Sequence, residues 1–469
     1  MSRSRGYMSL AEGRLLVVIG LAWVVLGARA GWLSLLLTVL PGALLLAAGI
    51  SRLLWPGDRR PLHFAAGATL IGVGMALPVC WLLGALPGLA LVSATLGIGL
   101  RLGFRSLASV RPLPEVPRAP LTSWVASRAV VDEGLLAWLH ARFAFPEDSV
   151  DMARIGADVE RALQLSRARG WLQDPASYHR APDAPASFDL RPRSLAHIRY
   201  QHLRFESGFV PHGDEPGAEA WQAHAANRTA HAWVLEHADP TRPWVIGVHG
   251  YRLGFPIQDF VLFPPSFFHE RLKLNVALCV LPLHGPRRSG TWSGDGFLDG
   301  DPLRMRHAEA QSIWDLRRLI GWIRERGGRC IGVSGISLGA YSAALLATLE
   351  DELAFVIAGT PPVDLARMFD EHGPPDLVRR LADFGISEVR VRELLHPVSP
   401  LALPPRVPHA ARFIYAGTAD RVVTPDHAQD LFVHWERPRM LWYPGGHFAW
   451  SPQLQPGILT TLREAKALG

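Results

Sequence analysis

The chain has 469 residues, of which 49% are hydrophobic and only 19% are charged. At roughly 100–200 residues per domain this length corresponds to two or three structural units, and so apolar a composition excludes a disordered or coiled-coil protein. The three cysteines, Cys80, Cys279 and Cys330, form no CxxC pair and no Cys/His metal spacing. We therefore predict neither a disulfide framework nor a metal site.

The net charge of +6 is distributed unevenly along the chain. Residues 1–111 hold ten arginines against two carboxylates and carry +8, which leaves a net −2 on the remainder. Because nucleic-acid-binding domains present a strongly basic surface, the nearly neutral remainder argues against nucleic acid as a partner.

Four apolar segments occupy the first 110 residues. They are 10–29, 31–50, 63–83 and 85–103. A membrane-spanning helix needs about 20 apolar residues, so each segment is a candidate span. The first holds only 14 uncharged residues between Arg14 and Arg29, so one of these arginines has to extend to the membrane surface. A cleaved signal peptide is the alternative for the start, but a second apolar segment follows at once. We predict a transmembrane region of about four helices over 1–110, with the lipid bilayer as a partner.

The arginines between these segments predict the orientation in the membrane. Three lie in the N-terminal tail, three in the loop 51–61 and three around the end of the last segment, whereas the two opposite turns hold Arg29 alone. Because positively charged loops stay in the cytoplasm, everything after residue 103 is expected there. The chain is thus predicted to be an integral protein of a bacterial inner membrane with a cytoplasmic catalytic domain. An odd number of spans would reverse that placement.

Residues 111–194 connect the apolar region to the rest of the chain. Four prolines make 111–120 a stiff, exposed linker. Apolar residues at three- and four-residue steps in 130–143 and 151–172 are typical of helices, which we expect to pack as a connector on the next domain. Neither helix carries a motif for chemistry, and 174–192 is predicted to form a loop.

From residue 195 onward, short β-rich segments alternate with amphipathic ones. Continuous apolar stretches are typical of strands buried on both faces, and helical periodicity marks 306–326 and 338–350. This alternation predicts an α/β fold with a mostly parallel, doubly wound sheet covered by helices. The predicted strands are 198–206, 228–236, 243–249, 274–281, 329–334, 353–359, 411–417 and 439–443.

The strongest motif is Gly-Ile-Ser-Leu-Gly at 335–339. It follows a predicted strand and opens a predicted helix, which is the context of a nucleophile elbow. In such an elbow a sharp turn presents the serine hydroxyl at the carboxyl edge of the sheet, and the glycines leave room for neighbouring backbone. Ser337 is therefore the candidate nucleophile, and the alternative is a tight glycine turn without chemistry.

A serine nucleophile needs a general base and a residue that orients the base. His447 stands in a glycine-rich loop directly after the last predicted strand, and Asp420 directly after the strand before it. The order serine, aspartate, histidine, with spacings of 83 and 27 residues, is the chain order of one triad-bearing fold. Asp364, after an earlier strand, is the alternative acid. His249 is expected to structure its turn, and His284 either structures its loop or lines a pocket.

On these motifs, residues 195–469 resemble the α/β-hydrolase superfamily. The resemblance covers more than half of the chain but neither the apolar region nor the connector. It implies an α/β-hydrolase fold in which Ser337 is the nucleophile, His447 the general base and then acid, and Asp420 the residue that orients the histidine. No cofactor is implied.

The resemblance also implies an oxyanion hole made of two backbone amides. The amide after the nucleophile is that of Leu338. The second belongs to the His-Gly turn at 248–251, which points to Tyr251, and Gly250 allows the chain to approach the site closely. Losing one such donor typically costs about 10²–10³ in rate.

Two insertions are expected to shape the substrate site. Residues 285–306 are rich in glycine and arginine, and 364–400 lie where this superfamily usually carries a lid. A lid beside a membrane anchor suggests an acyl ester delivered from the bilayer. Arg287 and Arg288 are candidates for binding a phosphate or carboxylate head group, with solvated loop arginines as the alternative.

The sequence therefore predicts a membrane-anchored serine hydrolase that cleaves a small-molecule or lipid carboxylic ester, similar to esterases and lipases, through an acyl-enzyme intermediate. Peptidase, thioesterase and acyltransferase activities are variants on the same triad. An alternative from another class is a non-catalytic hydrolase-fold membrane scaffold. A fold alone names neither the substrate nor its acyl-chain length, and the sequence indicates no oligomeric state.

Overall fold

The computed structural model describes residues 8–55, 60–110, 112–140, 148–298, 300–448 and 452–468. The chain divides into two compact units. The smaller unit comprises the described parts of Met1–Arg142, Gly417–Pro425 and Trp442–Ala449, and the larger unit comprises those of Phe143–Ala416, Asp426–Leu441 and Trp450–Gly469. The smaller unit thus includes two short segments from the C-terminal part of the chain.

The smaller unit begins with five apolar helices. They are α1 (Leu10–Arg29), α2 (Trp32–Leu54), α3 (Arg60–Gly74), α4 (Ala76–Leu83) and α5 (Ala85–Ala108). Three of them, α1, α2 and α5, are each long and apolar enough to cross a membrane. The other two reach that length only together, and they are bent by 70° at the break between them. Pro78 has no amide hydrogen to donate to Gly74, which interrupts the helix there. The segment 63–83, expected to form the third span, is therefore broken.

Charged residues at the helix ends are paired inside the smaller unit. Glu12, near the start of α1, forms ion pairs with Arg101 at 2.8 Å and Arg105 at 3.1 Å. Helix α5 continues to Ala108, five residues beyond the expected end at 103, and Arg105 in this extension pairs with the buried Glu12. Glu12 also completes a capping box with Ser9, which fixes the start of α1.

Helix α6 (Ser123–His140) also belongs to the smaller unit. It begins seven residues before the expected helix at 130–143 and packs against α3 and α5. An ideal Cβ on Gly103 of α5 would lie 2.5 Å from the carbonyl oxygen of Ala126, so the two helices are in close contact. This helix, expected as a connector packed on the next domain, contacts both the apolar helices α3 and α5 and residues of the C-terminal segments Gly417–Pro425 and Trp442–Ala449. The last three residues of the expected helix, 141–143, lie outside the described residues.

The larger unit is built on a nine-stranded sheet with the order β1-β2-β3-β5-β4-β6-β7-β8-β9. The first three strands and β5 pair antiparallel, and the strands from β4 to β8 pair parallel. This doubly wound sheet confirms the expected α/β-hydrolase fold. The strands are β1 (Phe188–Leu195), β2 (Ile198–Glu206), β3 (Thr229–Leu235), β4 (Trp244–Val248), β5 (Asn275–Val280), β6 (Ile331–Ile336), β7 (Leu353–Gly359), β8 (Arg412–Gly417) and β9 (Arg439–Tyr443).

Strand β1 is the one strand among the described residues that the sequence did not predict. It begins inside the segment 174–192, which was expected to be a loop, and ahead of the expected domain boundary at 195. Its residues are exposed or half-buried throughout, so it lacks the buried apolar face that identifies a strand in the sequence. Its existence depends on antiparallel pairing with β2.

The segment 364–400 contains three short helices, α12 (Leu365–His372), α13 (Pro375–Asp383) and α14 (Glu388–Leu395). In the described part of 285–306, Gly285–Arg287 form a 3-10 helix, turns and bends follow, and a helix begins at Pro302. The remaining helices are α7 (Ser149–Ala168), α8 (Ala218–Gln222), α9 (Pro256–Leu262), α10 (Pro302–Glu325), α11 (Leu338–Leu349), α15 (Pro425–His434) and α16 (Leu454–Glu464).

Candidate active site

Ser337 lies in the turn between β6 and α11 with φ 55° and ψ −124°. A non-glycine residue adopts this conformation only when the surrounding structure forces it to, at a cost on the order of 1–3 kcal/mol. Its amide donates to the carbonyl oxygen of Gly359 at 2.8 Å, and its own carbonyl accepts from Ala340 N at 2.7 Å. The backbone around Ser337 is therefore held in a strained, outward-turned conformation typical of a nucleophile elbow.

Both glycines of the motif are required by close backbone packing. An ideal Cβ on Gly335 would lie 2.0 Å from the carbonyl oxygen of Gly339, and one on Gly339 would lie 2.0 Å from that of Val248. No side chain fits at either position. The sharp turn at Ser337 thus depends on the glycine spacing seen in the sequence.

The turn after β4 runs beside the candidate nucleophile. An ideal Cβ on Gly250 would lie 3.3 Å from the Cβ of Ser337. Tyr251, one of the two expected oxyanion donors, follows Gly250 directly. Leu338, the other, is the first residue of α11, where a helix amide has no acceptor within its own helix. The segments that carry the two amides therefore both adjoin Ser337.

Two buried histidines hold the loops around this turn. His249 Nε2 accepts from Leu281 N at 3.1 Å, so its Nδ1 carries the proton and donates to the carbonyl oxygen of Gly250 at 2.8 Å. Burial lowers the pKa of His249. His284 is also buried, and its Nδ1 lies 2.8 Å from the carbonyl oxygen of Pro282. His249 thus has the structural role expected, and His284 structures its loop.

Arg287 is fully buried, which corrects both roles considered for it. It donates to the carbonyl oxygens of Val280 at 2.9 Å and Asn227 at 3.0 Å, and it pairs with the Asp315 carboxylate at 2.8 Å. It is neither a solvated loop residue nor free to bind a head group. This burial was not predictable from the local sequence, because the partner carboxylate lies on a helix 28 residues away. Arg288 is exposed.

Asp420 and His447 follow β8 and β9 and lie together in the smaller unit. His447 Nδ1 donates to Asp420 Oδ2 at 2.8 Å, and both residues are buried. Asp420 Oδ1 accepts from the amides of Val422 at 2.9 Å and Val423 at 2.8 Å, which fixes the carboxylate. The structure therefore brings the expected acid and base together, whereas Ser337 belongs to the larger unit.

The surroundings of His447 favour its protonated form. Burial by itself would lower the pKa of this imidazole, but the charge and the hydrogen bond of Asp420, together with the charge of Asp132, raise it above its ordinary value. A stabilised imidazolium is what a general base requires once it has accepted a proton.

Asp132 of α6 is a residue of this site that the sequence did not reveal. Its Oδ2 accepts from His447 N at 2.9 Å and from Arg421 N at 3.0 Å. The side chain is buried, and an ideal Cβ on Gly446 would lie 2.6 Å from Oδ2. Burial, followed by the charge of Asp420, raises the pKa of Asp132. The signal in the sequence was the pair Asp132-Glu133 within a helix whose other residues are mostly apolar.

Glu133, the next residue, is buried among polar groups from three segments. It accepts from Arg421 Nε at 3.2 Å and from Ser106 Oγ at 3.3 Å, and it pairs with His63 Nε2 at 3.1 Å. Burial would raise its pKa, but the hydrogen bonds and charges of His63 and Arg421 lower the pKa of Glu133 to about 2. Glu133 is therefore an ionised link between α3, α5 and the loop that carries Asp420.

Asp364, the alternative acid, has a different role. It is the N-cap of α12, where its side chain accepts from Arg367 N at 2.9 Å, and it pairs with Arg392 at 2.7 Å. Its carboxylate thus stabilises the start of a helix in the insertion. Within the described ranges, no cluster of three or more histidine, cysteine or acidic residues is arranged to hold a metal ion.

Comparison with known proteins relates this geometry to a family. No protein-family profile matches the chain. Two relatives from Mycobacterium tuberculosis, the uncharacterized proteins MT2702 (strain CDC 1551 / Oshkosh) and Rv2627c (strain ATCC 25618 / H37Rv), are each 38% identical over 336 residues, which cover 71% of this chain and 80% of the relative. A solved acetyl xylan esterase from Paenibacillus sp. R4 is 15% identical with a TM-score of 0.44, over 70% of this chain and 98% of that one. The chain therefore belongs to the family of the two mycobacterial proteins, and its sheet and nucleophile turn are those of an α/β-hydrolase fold.

Proposed function

We propose that this protein is a membrane-anchored serine hydrolase that cleaves a carboxylic ester, with Ser337, His447 and Asp420 as its triad. The observation that carries the proposal is the buried pair in which His447 Nδ1 donates to Asp420 at 2.8 Å. The strained backbone of Ser337 between two sterically required glycines supports it. Three apolar helices of spanning length support an anchor in the bilayer, from which an acyl ester would be delivered.

In the proposed reaction His447 acts through Nε2, because Nδ1 is committed to Asp420. It takes the proton of Ser337 as the hydroxyl oxygen attacks the ester carbonyl, and Asp420 stabilises the imidazolium that forms. The amides of Leu338 and Tyr251 donate to the oxyanion. His447 then gives its proton to the leaving alcohol, which leaves an acyl group on Ser337. A water molecule, deprotonated by the same histidine, releases the acid and restores the serine.

Acyl transfer to another nucleophile, or cleavage of an amide or thioester, would use the same groups. A scaffold without catalysis is the competing proposal. The buried charge of Asp420 and the raised pKa of His447 favour catalysis, because a protein that only binds has no need for an imidazole poised to accept a proton.

A fluorophosphonate probe, which phosphonylates activated serines, tests the proposal on the purified full-length protein in lipid nanodiscs. We expect the wild type to be labelled at Ser337, as located by mass spectrometry of the labelled peptide. Ser337→Ala should abolish labelling. Ser177→Ala, which removes the hydroxyl of an exposed serine, should label as the wild type does. A folded wild type that remains unlabelled would favour the scaffold.

A further inference from the structure

We infer that Asp132 of α6 is a positioning residue for His447 and for the loop of Asp420, so that a helix of the membrane-anchored unit sets the geometry of the acid–base pair. The inference rests on the proposed function in that His447 is the general base. The sequence placed no chemistry on α6. One carboxylate there, however, contacts the backbone of both loops that supply the pair.

The contacts of Asp132 join two loops that are separate in sequence. One amide that it binds belongs to His447 itself, and the other belongs to Arg421, the residue directly after the acid. A buried carboxylate is stable only when donors replace the water it has lost. Because the donors here are two main-chain amides, moving or removing the carboxylate leaves both loops with unsatisfied groups.

Gly446 shows how closely the histidine loop lies against Asp132. A methyl group at this position would come within 2.6 Å and 2.8 Å of the two carboxylate oxygens. Real side chains do not approach this closely, so any residue other than glycine has to displace the loop or the carboxylate. Asp132 therefore restricts the position of the backbone that precedes His447 on the side that faces the carboxylate.

Glu133 fixes the helix that carries Asp132. Its partners are His63 of α3, Ser106 of α5 and the side chain of Arg421. Arg421 is thus bound twice by α6, through its amide by Asp132 and through its guanidinium by Glu133. Neighbouring acidic residues on one helix connect the acid loop to two of the apolar helices within the smaller unit.

Such positioning matters because proton transfer tolerates little displacement. A shift of about 1 Å in a catalytic group typically lowers the rate by about 10²-fold. The imidazole of His447 is attached to the very residue whose amide Asp132 binds. Loss of the Asp132 oxygen should therefore strongly reduce the reactivity of Ser337, whereas packing elsewhere in the protein should change little.

The test uses two measurements on full-length protein in lipid nanodiscs: the rate of fluorophosphonate labelling, and hydrogen exchange of the peptides that cover 417–425 and 442–448. Asp132→Ala should speed exchange in these two segments, leave β7 protected, and slow labelling by about 10²-fold. Asp132→Asn keeps an oxygen acceptor, so it should restore both the protection and most of the labelling. Asp151→Ala, a matched removal of an exposed carboxylate on α7, should behave as the wild type does.

Gly446→Ala keeps the inference testable if Asp132→Ala does not fold, since it leaves the carboxylate in place and displaces the loop. It should likewise raise local exchange and slow labelling. Wild-type exchange and labelling in the alanine variants, or an asparagine variant as impaired as the alanine one, would overturn the positioning role of Asp132. An unlabelled wild type would instead refute the proposed function, and the exchange data would still show whether Asp132 holds the two loops.

Discussion

The protonation of His447 is set by the carboxylates that face it. Among the described groups these are Asp420, on the loop after β8, and Asp132 of α6. Only the neutral imidazole can take a proton from serine. Because the pKa of His447 is raised, activity should begin to fall at a higher pH on acidification than it would with a histidine of ordinary pKa. The proposed enzyme should therefore lose activity as the pH is lowered through that raised pKa.

Asp420→Asn tests this dependence. Removing the acid of a triad lowers the rate by about 10⁴. Without the charge of Asp420 the pKa of His447 falls, so the residual labelling should persist to a lower pH than in the wild type. Labelling rates from pH 5 to pH 9 measure the midpoint for each protein. A midpoint that does not move would show that Asp420 does not face the working base.

The backbone of Ser337 predicts a stability difference between two inactive variants. Glycine adopts φ 55° without strain, whereas alanine retains the strain of the native serine. Ser337→Gly should therefore be more stable than Ser337→Ala by about 1 kcal/mol, after the larger chain entropy of glycine in the unfolded state is subtracted. Thermal unfolding in the same nanodiscs compares the two. Equal stabilities would mean that the elbow is unstrained.

At the scale of elements, the packing of α10 on α11 buries a carboxyl group directly behind the nucleophile turn. Glu309 of α10 accepts from Ser342 Oγ of α11 at 2.9 Å, and burial raises the pKa of Glu309 to about 8. The folded protein therefore holds a proton there that the unfolded chain, with a pKa near 4.5, has already released. Stability due to this group should fall as the pH rises from about 5 to about 8.

Glu309→Gln removes that titration while keeping an oxygen for Ser342. The unfolding temperature of the variant should exceed that of the wild type by an amount that grows with pH across this range. Glu352→Gln, at a side chain that is 75% exposed, supplies the control and should follow the wild type. A constant difference between Glu309→Gln and the wild type at all pH values would contradict a neutral Glu309.

The strands show which elements can be predicted from sequence. Strands β4 and β7 were expected within one residue of their ends, because strands buried on both faces are continuously apolar. Strand β1 was missed because it has no buried face. Pro78 explains why α3 and α4 are separate helices, whereas the 70° angle between them was not predictable from the sequence.

At the scale of the whole molecule, the arginine distribution predicts which side of the membrane each segment occupies. The exposed loop around Arg288 should resist trypsin added outside intact cells and be cut after permeabilisation. A protease site inserted at Gly31, in the turn between α1 and α2, should be cut from outside. Immunoblotting of the fragments measures both. The reverse pattern would place the proposed catalytic domain outside the cytoplasm.

The sequence by itself determined the order of the elements, the glycine-flanked Ser337 and the candidates Asp420 and His447. These follow from local patterns: apolar periodicity, turn residues, and polar residues placed directly after strands. Such patterns are formed by residues close together in the chain, so they can be recognised from the sequence alone.

Only the tertiary structure decided which residues share an environment. It selected Asp420 over Asp364 as the partner of His447, placed Arg287 in the core, and brought Asp132 to two loops that lie about 290 and 315 residues further along the chain. The physical reason is that burial and charge pairing depend on groups distant in sequence. A carboxylate on a mostly apolar helix looks the same in the sequence whether it faces water or the amide of the candidate base His447.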